Sequence, residues 1–117
     1  MDQLGNNWVH LCIDMQLMFA EATEWHTPWM ERVLPKVVNL VEDTLFISGA
    51  ETEVCVLATV MGAIDRSYRV IIVSDAVCSG ADSTHDAMLG IYRSRFGMQV
   101  ETVTAEEMCA AVISSRA

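Results

Sequence analysis

The segment from Leu45 to Ala63, LFISGAETEVCVLATVMGA, predicts an apolar strand that leads directly into a helix. The apolar run ends at Gly49, and apolar residues at helical spacing follow it. Cys55 would lie in the opening turn of this helix, where unpaired N–H groups and the helix dipole favour negative charge. A thiol held there is biased toward the thiolate, which is the nucleophilic form. The segment is therefore a candidate for covalent catalysis.

The remaining chain continues this alternation of strand and helix. Predicted strands cover residues 8–13, 44–48, 69–74 and 99–103, and predicted helices cover residues 28–41, 52–66, 83–96 and a final segment after Thr104. Three helix starts carry a capping signal: Thr27 before Pro28, Ser83 with Asp86, and Thr104 with Glu107. Pro35 should bend the first helix. Near-continuous apolar strands alternating with helices indicate a parallel sheet, so we expect one Rossmann-like, three-layer or incompletely covered α/β domain of about four strands over residues 1–117.

Composition excludes several classes of function. A net charge of −9 with only seven Lys and Arg argues against nucleic-acid binding. No apolar run approaches the roughly 20 residues of a membrane span, and the acidic start does not resemble a signal peptide. The four cysteines are widely separated and form no CxxC pair, which favours reduced thiols in a cytoplasmic protein.

Two residues in this pattern could act together. Ligands of parallel α/β sheets bind beyond the carboxyl ends of the strands. Asp14 ends the first predicted strand and Cys55 follows the second, so they would face one crevice if those strands are neighbours. The carboxylate could then take the thiol proton and return it to a leaving group. Taken singly, each has an ordinary explanation, since a lone Cys often fills a core and an Asp often ends a strand as a turn residue.

The strings LCIDMQ at residues 11–16 and SGAETEVCV at residues 48–56 resemble the two signature strings of the isochorismatase-like cysteine hydrolases. The likeness continues through Ala63, residues 68–70, residues 74–76 and His85. The resemblance implies a hydrolase with an Asp–Lys–Cys triad that acts on a small amide or a related C–N or vinyl-ether substrate. It implies Cys55 as the nucleophile, Asp14 as the acid/base, a cis peptide bond between Ala50 and Glu51, and an oxyanion hole formed by the backbone N–H groups of Glu51 and Cys55.

The chain departs from that family in one stretch. The triad lysine has no counterpart, because the only lysine is Lys36 in the first predicted helix, outside the family's lysine motif. The Cys-bearing strand follows that helix at once, so a middle stretch with two further strands is missing. Without the cation, both the thiolate and an oxyanion lose support, and we expect weak activity.

We expect no metal and no cofactor. The metal motif of the nicotinamidase branch belongs to the missing stretch, and the three histidines share no ligand spacing. No GxGxxG or Walker A string is present.

Shortening also has a structural consequence. Four parallel strands in chain order, joined by right-handed crossovers, would leave one sheet face bare, unless the first helix connects left-handedly, and would leave the first strand as an open edge. Apolar exposure of this kind predicts a partner subunit, as in a homo-oligomer, or poor solubility. A non-catalytic, self-associating scaffold is therefore the alternative to the enzyme. A thiol redox sensor is a third hypothesis, which needs a resolving cysteine near Cys55, with Cys12 in the neighbouring strand.

Overall fold

The computed structural model describes residues 1–14 and 44–116. The elements are β1 (Trp8–Asp14), β2 (Thr44–Ala50), α1 (Cys55–Asp65), β3 (Arg69–Cys78), α2 (Asp82–Ser94), β4 (Val100–Val103) and α3 (Ala105–Ser115). The four strands are parallel and lie in the order β1-β2-β3-β4, which confirms the predicted α/β architecture. The predicted helix over residues 28–41, with Thr27, Pro35 and Lys36, lies outside the described residues.

The two connecting helices, α1 and α2, pack on the same face of the sheet. Side chains alternate between the two faces of a strand, so Leu45 and Ile47 of β2 point to this face together. The buried core here is Ile13, Leu45, Ile47, Val56, Val60, Ala63, Val70, Ile72, Val77, Met88, Leu89, Tyr92 and Val100. This agrees with the rule that right-handed crossovers put the connecting helices of such a sheet on one side.

The opposite face is not bare, so that expectation is wrong. After β4 the chain turns back and α3 packs on this second face, where Met108 joins Phe46 and Ile71 in a smaller core. The start of α3 is fixed as predicted, because Thr104 and Glu107 form a reciprocal capping box. Asp75 adds a second bond, accepting from the backbone N–H of Ala105 at 2.7 Å. Since α3 follows the last strand, no crossover rule restricts it to the face of α1 and α2.

Strand β1 is less buried than its apolar sequence predicts. Among its side chains whose burial is described, Ile13 alone is buried, whereas Val9, His10 and Cys12 are exposed. The reason is its position, because within the described residues β1 pairs with β2 only and is an edge of the sheet.

Several element boundaries differ from the sequence prediction. Strand β3 continues to Cys78, and its pairing with β2 shifts register between Ile47 and Gly49. Helix α1 begins at Cys55 rather than at residue 52, since the residues before it form a turn. No helix in the ranges 1–14 and 44–116 is long and apolar enough to cross a membrane.

The predicted cap of α2 is also wrong. Its N-cap is Ala81, which supplies no side-chain cap, and Ser83 lies inside the helix. The hydroxyl of Thr84 donates to the Ala81 carbonyl at 3.1 Å. Helix α2 therefore starts two residues earlier than a Ser83 cap requires.

Candidate active site

The carboxyl ends of β1 and β2 lie side by side. Ile13 pairs with Gly49 and Asp14 pairs with Ala50 in the parallel register. Gly49 has a φ of +108°, and a Cβ at this position would lie 2.2 Å from the carbonyl oxygen of Ile13. Only glycine tolerates both this backbone conformation and this approach. The sequence therefore brings the backbone of Asp14 next to the turn that follows β2.

That turn is short and closes directly into α1. The peptide bond between Ala50 and Glu51 is cis, at the position that the resemblance implies. The carbonyl of Glu51 then accepts from the N–H groups of Val54 at 3.0 Å and of Val56 at 3.1 Å. These bonds direct the chain from the end of β2 into the first turn of the helix.

Cys55 is the first residue of α1. The preceding residue, Val54, gives no side-chain cap, and the first turn of this helix carries no acidic residue. The N-terminal field of the helix is therefore not offset by its own side chains. The Cys55 side chain is half-buried against the larger core, and Thr59 donates its hydroxyl to the Cys55 carbonyl at 2.9 Å. The position can stabilise a thiolate at the carboxyl edge of the sheet.

Thr52, between the cis bond and Cys55, is held by three hydrogen bonds. Its N–H donates to the Cys78 carbonyl at 3.0 Å, and its carbonyl accepts from the Tyr92 hydroxyl at 2.8 Å. Its own hydroxyl shares a hydrogen bond of 2.7 Å with Nδ1 of His85. Thr52 and Tyr92 are fully buried.

Neither Thr52 nor Tyr92 was singled out from the sequence. A signal existed for Tyr92, because it continues the apolar helical spacing of Met88 and Leu89, and a buried tyrosine hydroxyl usually needs a partner. Burial raises the pKa of Tyr92, and the negative charge of Glu53 raises it further. The phenol therefore remains protonated, and remains a donor, throughout the neutral pH range.

Glu53 connects the same turn to the loop before α2. Its carboxylate accepts from the Ser79 hydroxyl at 2.5 Å. This bond lowers the pKa of Glu53 below its ordinary value, with smaller contributions in the same direction from Thr84 and the charge of His85. Residues 51–55 are thus tied to β3 and α2 as well as to β2.

The other candidate residues lie elsewhere. His10 shares a hydrogen bond of 2.7 Å with Ser48 and stacks on Phe46, and burial lowers its pKa. Cys12 is exposed and pairs with Ser48, two residues before the carboxyl end of β1, so it lies within the strand rather than at the strand end beside the turn to Cys55. This arrangement does not favour Cys12 as a resolving cysteine.

A metal centre is not assembled in the part of the chain that the structure describes. No three His, Cys, Asp or Glu side chains in residues 1–14 and 44–116 are grouped to hold a metal ion.

The fold resembles solved structures of larger proteins. One is an isochorismatase-like hydrolase from Alkaliphilus metalliredigens, with 24% identity, a TM-score of 0.55, and coverage of 71% of this chain and 42% of that one. A second is the pyrazinamidase of Pyrococcus horikoshii in complex with zinc, with 29% identity, a TM-score of 0.51, and coverage of 61% and 38%. A third is the MAR1 ribonuclease from Caenorhabditis elegans, with 21% identity, a TM-score of 0.58, and coverage of 76% and 42%.

This chain matches about two-fifths of the length of each of these proteins. No curated protein matches its sequence. The family model of the isochorismatase domain, however, matches residues 42–107, which is more than half of the chain. Those residues contain β2, the turn at Glu51 and the helix that starts at Cys55. The chain therefore belongs to the isochorismatase-like hydrolase family.

Proposed function

We propose that this protein is a cysteine hydrolase that acts on a small amide, or on a related C–N or vinyl-ether substrate. Cys55 is the nucleophile and Asp14 is the acid/base. One observation carries most of the support: the backbone of Asp14 pairs with Ala50, directly before the turn that leads to Cys55. A carboxyl-bearing residue and a thiol at a helix N-terminus thus belong to adjacent strand ends, where parallel sheets bind ligands.

The proposed reaction follows the usual order of covalent acyl transfer. The Cys55 thiol gives its proton to the Asp14 carboxylate, and the sulfur attacks the substrate carbonyl carbon. The C=O electron pair moves to oxygen, then returns as the C–N bond breaks. The leaving amine takes the proton from Asp14. Water then attacks the thioester, which releases the acid and restores the thiol.

The oxyanion is assigned to the backbone N–H groups of Glu51 and Cys55. Support comes from the turn itself, because the Glu51 carbonyl is engaged by the N–H groups of Val54 and Val56. A turn that is already closed holds its amide dipoles in place, so the transition state requires little reorganisation.

The rate of this reaction should be low. The chain has one lysine, Lys36, and it lies outside the described residues. A cation beside the pair would stabilise the thiolate, the carboxylate and the oxyanion together. Without one in the family's position, the helix N-terminus and the amide donors provide the stabilisation.

The test is the rate of Cys55 alkylation by iodoacetamide as a function of pH, resolved by peptide mass spectrometry, in the wild type and in Asp14→Asn. The exposed thiols of Cys12, Cys78 and Cys109 are internal controls in the same sample. We expect Cys55 to be alkylated at lower pH than the controls, and more slowly in the variant, because Asp14 is proposed to accept the thiol proton as the sulfur attacks and asparagine cannot accept it. Equal profiles for all four thiols, unchanged by the substitution, would refute the proposal.

Turnover gives the second test. If a screen of small amides finds a substrate, Cys55→Ala must abolish its hydrolysis. Intact turnover in that variant would exclude Cys55 as the nucleophile. Unreactive Cys55 together with concentration-dependent oligomers in sedimentation would instead support the self-associating scaffold.

A further inference from the structure

We infer that Tyr92 and His85 of α2 are positioning residues for the oxyanion hole, and that they act by holding Thr52 rather than by touching the substrate. The inference rests on the proposed function. It goes beyond it by assigning a role to a helix that carries neither the nucleophile nor the acid/base.

All three polar groups of Thr52 have partners outside its own turn. The N–H bonds to β3 through the Cys78 carbonyl, and the carbonyl and hydroxyl bond to α2 through Tyr92 and His85. Thr52 is 0% exposed, as is Tyr92. A buried polar group that loses its partner keeps the full cost of desolvation, so each bond strongly favours one backbone arrangement. The orientation of Thr52 is thus determined from two elements at once.

The orientation of Thr52 affects the two proposed oxyanion donors, because Thr52 lies in the chain between Glu51 and Cys55. Its N–H belongs to the Glu51–Thr52 peptide plane, directly after the residue that carries one donor. Its carbonyl belongs to the Thr52–Glu53 plane, two planes before the one that carries the Cys55 N–H. The bond to Cys78 fixes the first plane, and the bond from Tyr92 fixes the second. Hydrogen bonds weaken steeply with angle, and small displacements of positioned groups can cost large factors in rate. Releasing Thr52 should therefore misalign the amide donors of Glu51 and Cys55.

Tyr92 is suited to this role over a wide pH range. Its hydroxyl stays protonated, since burial and the charge of Glu53 both raise its pKa. Replacement by Phe removes one oxygen and leaves the ring in the core with Met88 and Leu89. Tyr92→Phe is consequently a minimal change.

Two reagents distinguish an effect on the oxyanion hole from an effect on the thiolate content of Cys55. Iodoacetamide alkylates the thiolate: the sulfur attacks a saturated carbon and displaces iodide, so no oxyanion forms. The sulfur attacks p-nitrophenyl acetate at its carbonyl carbon, and an oxyanion forms. When the oxyanion collapses, p-nitrophenolate leaves and the acetyl group stays on the sulfur. The ratio of acylation rate to alkylation rate at Cys55 therefore reports on the oxyanion hole, whereas a change in thiolate content moves both rates.

The experiment measures this ratio in the wild type, Tyr92→Phe, His85→Ala and His85→Asn. Ser94→Ala is the matched control, because Ser94 lies on the same helix and its hydroxyl donates to the Gly90 carbonyl of its own preceding turn. We expect the ratio to fall about tenfold in Tyr92→Phe and in His85→Ala, since misaligned donors lose part of their stabilisation. His85→Asn should recover part of it, because its amide can still bond to Thr52, and Ser94→Ala should match the wild type.

Each other result has a definite meaning. If wild-type Cys55 is acylated no faster than Cys12, Cys78 and Cys109, the proposed function fails, and this inference fails with it. If wild-type Cys55 is acylated selectively and Tyr92→Phe keeps the ratio, the proposed function stands and the inference alone fails. Equal slowing of both reactions in Tyr92→Phe also overturns it, since the effect then lies on the thiol or the fold. If Tyr92→Phe does not fold, the ratios measured in His85→Ala and His85→Asn test the inference.

Discussion

The α-carbon of Gly49 lies so close to β1 that a Cβ placed on it would be 2.2 Å from the Ile13 carbonyl oxygen. This contact fixes the distance between the strand that ends at Asp14 and the strand that leads to Cys55. It is a requirement of the backbone, independent of which side chains perform the chemistry.

Gly49→Ala should therefore destabilise the protein and disturb the site. The methyl group meets the Ile13 backbone, and the φ of +108° adds the cost of a conformation that side-chain-bearing residues avoid. We expect a loss of at least about 2 kcal/mol in the free energy of unfolding, measured with urea, from strain of this kind. In this variant, Cys55 should also no longer be alkylated at lower pH than the exposed thiols of Cys12, Cys78 and Cys109.

Gly90→Ala is the matched control. A Cβ at Gly90 would meet no atom of residues 1–14 and 44–116 within 4 Å, and Gly90 lies inside α2. Alanine at such a helix position should stabilise by about 1 kcal/mol. If both substitutions had equal effects, the contact between Gly49 and Ile13 would not be the cause.

The start of α3 offers a second prediction. Thr104→Ala removes the hydroxyl that accepts from the Glu107 N–H at 3.2 Å and breaks the capping box. We expect a loss of about 1 kcal/mol in unfolding free energy, the usual value of such a cap. Ser83→Ala should change stability by less than about 0.5 kcal/mol, because Ser83 is exposed and does not cap α2. A larger loss from Ser83→Ala than from Thr104→Ala would reverse the assignment of the two caps.

Glu53 gives a prediction about acid stability. Its pKa is lowered in the folded protein from an ordinary value of 4.5, mainly by the Ser79 hydroxyl. A lowered carboxyl pKa stabilises the folded state above about pH 4.5, and this stabilisation is lost as the pH falls through the folded-state pKa. Glu53→Gln should thus cost stability at pH 7 and cost less near pH 3. Solvent screening keeps the difference below about 1 kcal/mol.

The measurement is urea unfolding at both pH values, combined with Ser79→Ala in a double-mutant cycle. We expect a coupling energy between Glu53 and Ser79 that is larger at pH 7 than near pH 3. A coupling energy of the same size at both pH values would show that the charge of Glu53 is not involved.

Much of the architecture could be predicted because it depends on local patterns. Apolar runs such as residues 69–74 and the helical spacing after Cys55 determine buried strands and amphipathic helices from nearby residues alone. The capping box at Thr104 is equally local. The exposure of β1 follows instead from the strand order that the missing stretch predicts, since it depends on how many strands flank it and not on its own composition.

Some features of the site likewise depend on contiguous sequence, and others depend on long-range packing. The strings around Asp14 and Cys55 are contiguous in sequence, so the resemblance could propose them. The hydrogen bonds of Thr52 join residues 26 to 40 positions apart. Which buried hydroxyl meets which carbonyl is decided by the packing of α2 on the sheet, and no periodicity encodes it. Ser83 is not the cap of α2, because Ala81 occupies the N-cap position and Thr84 donates to its carbonyl.

The residue before Cys55 allows the electrostatic contribution of the helix N-terminus to be tested directly. Val54 is 42% exposed, and the first turn of α1 has no acidic residue. Val54→Asp would put a carboxylate beside the thiol and disfavour the thiolate through like-charge repulsion. Val54→Asn has nearly the same shape and the same hydrogen-bonding oxygen without the charge. A shift of one unit in the Cys55 pKa would slow alkylation about tenfold at pH values below that pKa.

We therefore expect Cys55 to be alkylated several-fold more slowly in Val54→Asp than in Val54→Asn at low ionic strength. The difference should shrink in 1 M salt, because salt screens the added charge. Exposed Cys109, at the far side of the sheet on α3, should react equally in both variants. Identical Cys55 rates in the two variants would mean that local charge does not control the thiol. The proposed nucleophile would then lack the electrostatic support that its position at the start of α1 is argued to provide.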